Sequence, residues 1–179
     1  MKLLATLFFV TLWSLVGVAQ ETVSEPEFAD VFFRLDAGNL VSLERQTASV
    51  QGKASGFIVM SMKAASEFPG PKSPVRFHAG QPIDFVVRTF LASSTVDPNT
   101  LYVLRKLDSK KKTRELVFMA GHITPVGGSS KTNLAQGGLP VEFARYGASS
   151  FKMTTGPLQP GEYAVSLLYA QTVFCFGVD

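Results

Sequence analysis

The chain has a single cysteine, Cys175, so no intramolecular disulfide can form even in an oxidising compartment. That thiol stands in "TVFCFGVD", a strand-like run with nothing basic or helical beside it to lower its pKa, and it reads as a small buried hydrophobe. Histidine is almost as scarce: His78 and His122 are the only two, which leaves few possible bases for a Ser–His–acid set. A cupredoxin-like copper site is disfavoured, because only "FGVD" follows Cys175 and no histidine stands near it. Acidic residues are sparse; Asp84 and Glu142 fall at outward-looking strand positions, and Asp97 lies in no dense Asp/Asn run of a calcium loop. Helical periodicity is missing over any useful length.

Two near-motifs also fail. "GGSSKT", residues 127–132, lacks the Gly directly before Lys that lets a P-loop cradle phosphates, and no helix follows it. "GKASG", residues 52–56, has Gly-x-x-Ser-Gly where a hydrolase elbow needs Gly-x-Ser-x-Gly between strand and helix. No cofactor is expected.

At the start, Lys2 precedes the apolar stretch Leu3–Val16, and Gly17 and Ala19 stand at the −3 and −1 positions of a cut before Gln20. The stretch is short for a membrane span, which needs about 20 apolar residues. Residues 1–19 therefore read as a signal peptide and 20–179 as an exported protein, periplasmic or extracellular, with no transmembrane segment. Removing Lys2 from the 17 basic residues leaves 16 against 14 acidic ones, a net charge of +2, too small to argue for nucleic acid.

Beyond an acidic tail, 20–27, short runs rich in Val, Phe, Ile, Leu and Thr alternate with Gly, Pro, Asn and Ser clusters, the mark of an all-β chain. "VFFRL" and "LVSLERQ" form a hairpin around "DAGN", with Gly38 free to take a positive φ, and "SGFIVMSMK" reads as a third strand. These make an N-terminal β-element over 28–66 that either extends one sheet or packs as a small cap. "FPGPKSP", residues 68–74, reads as a rigid linker or a crossing between sheets, with the linker placed at 67–73. About eight strands follow over 74–179, at the spacing and length of an immunoglobulin-like β-sandwich.

Within that region, "SFKMTTGPLQPGEYAVSLL" resembles the strand E–F corner of fibronectin type III and immunoglobulin domains. The resemblance implies a strand, a corner at Pro160, and Tyr163 turning its hydroxyl back to the corner backbone while Leu158 plugs the core below. Val165 stands where antibody domains carry a strand-F cysteine, and the sole tryptophan, Trp13, falls in the leader, so the sandwich is expected to be disulfide-free. More loosely, "DAGNLVSLERQ", "SPVRFHAGQPIDFVVR" and "PGEYAV…FCFGVD" look like uncharacterised exported bacterial β-proteins, which adds a compartment and a fold class.

One positive feature bears on function. Arg105, Lys106, Lys110, Lys111, Lys112 and Arg114 crowd one hairpin, against Asp108 and Glu115. Such a tip attracts an anionic envelope polymer, a lipid surface or an acidic protein patch. Aromatics do not interleave with these cations beyond Tyr102, so base stacking is not suggested. The Gly-rich stretch 121–139 is long for a loop and is expected at the opposite pole. The expected function is a non-catalytic binding or assembly module. The competing one is a small hydrolase or carbohydrate-active enzyme with 121–139 as a lid, which needs a concave pocket collecting His78 or His122 with a carboxylate.

Overall fold

A computed structural model of the protein describes residues 23–90, 96–132, 138–168 and 170–179; the expected signal peptide and the first residues of the acidic tail lie outside them. The strands are β1 Phe32–Asp36, β2 Asn39–Ser42, β3 Glu44–Thr47, β4 Ser49–Ser55, β5 Met60–Pro69, β6 Arg76–Phe77, β7 Asp84–Arg88, β8 Tyr102–Ser109, β9 Thr113–Thr124, β10 Gly127–Thr132, β11 Gly138–Leu139, β12 Val141–Tyr146, β13 Ser150–Thr155, β14 Gly161–Leu167 and β15 Thr172–Val178. The described residues contain no α-helix, and hence none long and apolar enough to cross a membrane.

The strands form two largely antiparallel sheets stacked as a sandwich. One runs in the order β12-β13-β7-β1-β2. The other runs β3-β15-β14-β8, with β6 parallel to β15 and β11 on β8, and continues past the end of β8 into β9, β5 and β4, with β10 on the far side of β9. Alternation fills the space between the sheets: Phe85 and Val87 of β7 and Phe151 and Met153 of β13 face Leu104 of β8, Tyr163 and Val165 of β14, and Phe174 and Phe176 of β15. The Tyr163 ring stacks on Phe176 with centroids 5.5 Å apart. Its hydroxyl donates to the Gln159 carbonyl at 2.6 Å, and Leu158 is buried in the same core.

Local chemistry sets several turns. β1 and β2 meet in a two-residue turn at Ala37 and Gly38, both at positive φ, which suits the twist of the hairpin. The run expected as one strand, "LVSLERQ", instead changes sheets: β2 lies in the first, β3 in the second, and Leu43 is buried at the switch. Residues 28–66 are thus not a separate cap, since β1 pairs with β7 and β3 with β15. Nor is 67–73 a linker. Phe68 is fully buried at the end of β5, and Ser73 is buried with its amide donating to Glu162 at 2.8 Å.

The tail is tied down by Glu25 and by Arg88, whose guanidinium donates to the carbonyls of Pro26 and Glu27. Glu25 accepts from the amides of Ala148 and Ser149 and from the hydroxyls of Ser149 and Ser150, at 2.6–2.9 Å. Burial alone raises a carboxyl, but here the bonds from Ser150, Ser149 and the backbone outweigh it and hold Glu25 at about 2.

Candidate interaction ribbon and the charged hairpin

β8 and β9 pair only through Asp108–Glu115 and Ser109–Arg114. β9 then leaves β8 and pairs with β5 along its length, and the base of this β5–β9 pair turns one face onto the outside of the second sheet. Phe68 and Leu116 pack there against Leu107, Ala164, Val173 and Cys175. Burial pushes the Cys175 thiol up to about 12, so it stays protonated and inert, as expected.

Arg114 lies on that buried face, and this takes it out of the cationic surface group to which its place in the sequence assigns it. The side chain is wholly buried. It makes a two-pronged contact with Glu44, at 2.7 and 2.8 Å, and donates to the carbonyls of Gly70 at 3.1 Å and Pro69 at 2.9 Å. Burial raises the Glu44 carboxyl, but hydrogen bonds from Arg114, Ser73 and Gln46 bring it below the usual range. Glu162, 3.7 Å from Arg114, is bonded in turn by Arg76, which also clasps Asp179. The strap "FPGPKSP" is held by this ionic cluster, and among the described residues no buried side-chain nitrogen or oxygen lacks a partner.

The other cations of that hairpin disperse. Arg105 is half-buried in mid-strand, opposite Ala164. Lys106 is exposed but reaches over the Tyr163 ring, 5.8 Å from its centroid. Lys110, Lys111 and Lys112 remain exposed together in the turn, where Lys112 accepts a bond from the Gly70 amide at 3.0 Å and Lys110 donates to Thr113 at 2.8 Å. The described charge patch is therefore three lysines on a short turn pinned beside Gly70.

Away from this base, β4, β5, β9 and β10 form a four-stranded ribbon. β4 and β10 are its free edges, and every residue of β4 is exposed. Much of the stretch expected as a loop is thus strand: Gly121–Thr124 belong to β9, and "GGSSKT" is β10, paired residue for residue with β9. Residues 133–137 of that stretch lie outside the described ones. The "FIV" of the expected third strand is not strand either. It forms the turn between β4 and β5, with Phe57 104% and Ile58 72% exposed. Gly56 permits the tight bend: its φ is +110°, and a Cβ there would sit 1.8 Å from the Val59 carbonyl oxygen.

Alternation gives the ribbon two unlike faces. One carries Gln51, Lys53, Lys63, Glu67, Glu115 and His122; Lys63 bonds Glu115 at 2.5 Å and Lys53 bonds Glu67 at 3.3 Å. The other carries Val50, Met60, Met62, Met119 and Ile123. At the end of the ribbon the turn after β9 adds Val126, 99% exposed. Sequence reading missed this apolar end because "GFIVM" and "TPVGG" look like ordinary strand and loop. A signal was present nonetheless, in a glycine directly before three bulky apolar residues and no carboxylate for twenty residues around them.

The two histidines part company. His122 is exposed on the ribbon, with Nδ1 3.3 Å from Ser129 Oγ. His78 lines a cleft of about 280 Å³ at one end of the sandwich, with Arg34, Arg76, Gln81 and Asp84. Asp84 turns its carboxylate to Thr154, at 2.6 Å, and Lys152, at 3.5 Å. No cluster of three or more metal-ligating side chains occurs among the described residues.

No protein-family model, curated protein or solved structure matches the chain.

Proposed function

We propose that this chain is an exported, non-catalytic binding and assembly module built on an immunoglobulin-like sandwich, and that its contact element is the four-stranded ribbon. The observation carrying the contact assignment is the outward display of Phe57, Ile58 and Val126 at the end of paired hairpins. Soluble domains rarely expose contiguous apolar surface without a partner for it. The sandwich reading is supported by strand order: β12-β13-β7-β1 against β15-β14-β8 matches strands D, E, B, A against G, F, C of a constant-type immunoglobulin domain. Tyr163 bonding back to Gln159 across the crossing between sheets supports the same reading. Export rests on the leader at 1–19.

The test is retention of envelope components on immobilised residues 20–179, beside a variant carrying Phe57→Asp and Val126→Asp and another with Lys110, Lys111 and Lys112 changed to Glu. Loss with the first variant alone supports the ribbon. Loss only with the second returns the contact to the lysine turn, and equal retention by all three overturns both.

A second reading, a small hydrolase or carbohydrate-active enzyme, is favoured by the cleft that brings His78 and Asp84 to one concavity. It predicts turnover of a glycoside or ester substrate that His78→Ala abolishes; activity untouched by that change would dismiss it.

A further inference from the structure

We infer that the end of the ribbon docks into the interfacial region of an anionic lipid bilayer. This rests on the ribbon being the contact element and names what it contacts. Met60 of β5 stands opposite Ile123 of β9, so the turns 56–59 and 125–126 finish side by side. Phe57, Ile58, Val59 and Val126 of the two adjoining turns and Met60 and Ile123 of the strand ends beside them are all exposed there. The patch is terminal and led by turn residues standing out from the chain. A fluid acyl boundary accepts such an end without a matching cavity, whereas a protein partner needs one already shaped for it.

The charges around the patch give the bilayer its sign. No Asp or Glu occurs between Glu44 and Glu67, or between Glu115 and Glu142. Lys53, Lys63, Ala120 and Lys131 occupy one cross-strand register over all four strands, and Glu67 and Glu115 reach Lys53 and Lys63 from the sandwich side of it. That row lies three residues behind Met60, about 10 Å at the usual strand rise. Apolar groups of interfacial segments sink roughly 5–10 Å, which sets Lys53 and Lys63 at the level of the headgroup phosphates. Between the two, Ser55, Ser61, His122 and Ser129 form a polar row. The polar row limits insertion to the turns, so the ribbon dips into the membrane and does not span it.

The test is cosedimentation of residues 20–179, which include every described residue, with large unilamellar vesicles of phosphatidylglycerol or of phosphatidylcholine, at low and high salt. Wild type is expected on phosphatidylglycerol, less at high salt and much less on phosphatidylcholine. Changing Phe57 and Val126 to Asp should lower the partition coefficient by about tenfold or more, with the melting temperature unchanged. Lys53→Glu should weaken binding to phosphatidylglycerol alone. In Ile58→Trp the new indole is the only one in the segment, Trp13 lying outside it, and its emission should shift to the blue on phosphatidylglycerol. Undiminished sedimentation of the double Asp variant, or no spectral shift, overturns the inference. Release of a trapped dye would mean spanning and also overturns it. If wild type ignores vesicles but still retains envelope protein in a manner lost with the double Asp variant, the bilayer is wrong and the ribbon reading stands. If the double variant retains everything, both fall.

Discussion

Arg114→Met separates a surface cation from a buried one. On a solvated tip, the change would leave stability within a few tenths of a kcal/mol. In this structure the side chain is 0% exposed, and its partners Glu44 and Glu162 are 13% and 3% exposed. Methionine fills most of the volume but takes the guanidinium from Glu44, leaves Glu162 to Arg76 and the Ser73 amide, and orphans the carbonyls of Pro69 and Gly70. Removing one partner of a buried ion pair typically costs about 3–5 kcal/mol. For a domain of this size that is a fall in melting temperature of roughly 6–20 °C. Glu44→Gln on top of Arg114→Met should recover part of the loss, with a coupling of about 1–3 kcal/mol between neighbouring sites. Thermal and urea unfolding of wild type, the two single variants and the double variant give all four corners of the cycle. A loss below about 1 kcal/mol for Arg114→Met, or strict additivity, would refute the claim that this guanidinium holds the strap to the sandwich.

Two further outcomes follow from contacts elsewhere. Tyr163→Phe keeps the stacked ring but leaves the Gln159 carbonyl unpaired, and should cost about 1–2 kcal/mol in urea unfolding; a change near zero would count against the corner. Glu25, held at about 2 in the fold against an ordinary 4.5, contributes stability that is complete above pH 4.5 and is lost as the pH falls toward 2. Glu25→Gln should therefore be less stable near neutrality, by about 1–2 kcal/mol after allowance for partial exposure, and should converge with wild type in acid unfolding near pH 2. A gap that persists there would refute it.

What could be read from the sequence was whatever acts over a few residues. The Ala37–Gly38 turn, the strand alternation of β7, β13, β14 and β15 and the burial of Cys175 all have causes within a short window. Arg114 was misplaced because its burial depends on Glu44 and Glu162, both far away in the chain and brought under it only by register. Composition saw six cations on one hairpin; it could not see that β9 rotates one of them inward. "FIV" was misplaced for the opposite reason. An apolar run signals a demand for burial, and it does so equally whether the partner is the protein's own core or something outside it. The His78 cleft was equally hidden, since Arg34 and Leu35 of β1, far away in the chain, close it against residues 76–84.

The position of β15 has a consequence for the order of events in folding. Residues 172–178 sit between β14 on one edge and β3 and β6 on the other, and residue 172 closes onto residue 47. The second sheet thus has no complete interior until residue 178 is free to pair. A chain that emerges N-terminus first during synthesis cannot finish this sheet early. Until then β3, β6 and β14 wait with open edges, which makes that interval the one in which a chaperone has most to protect.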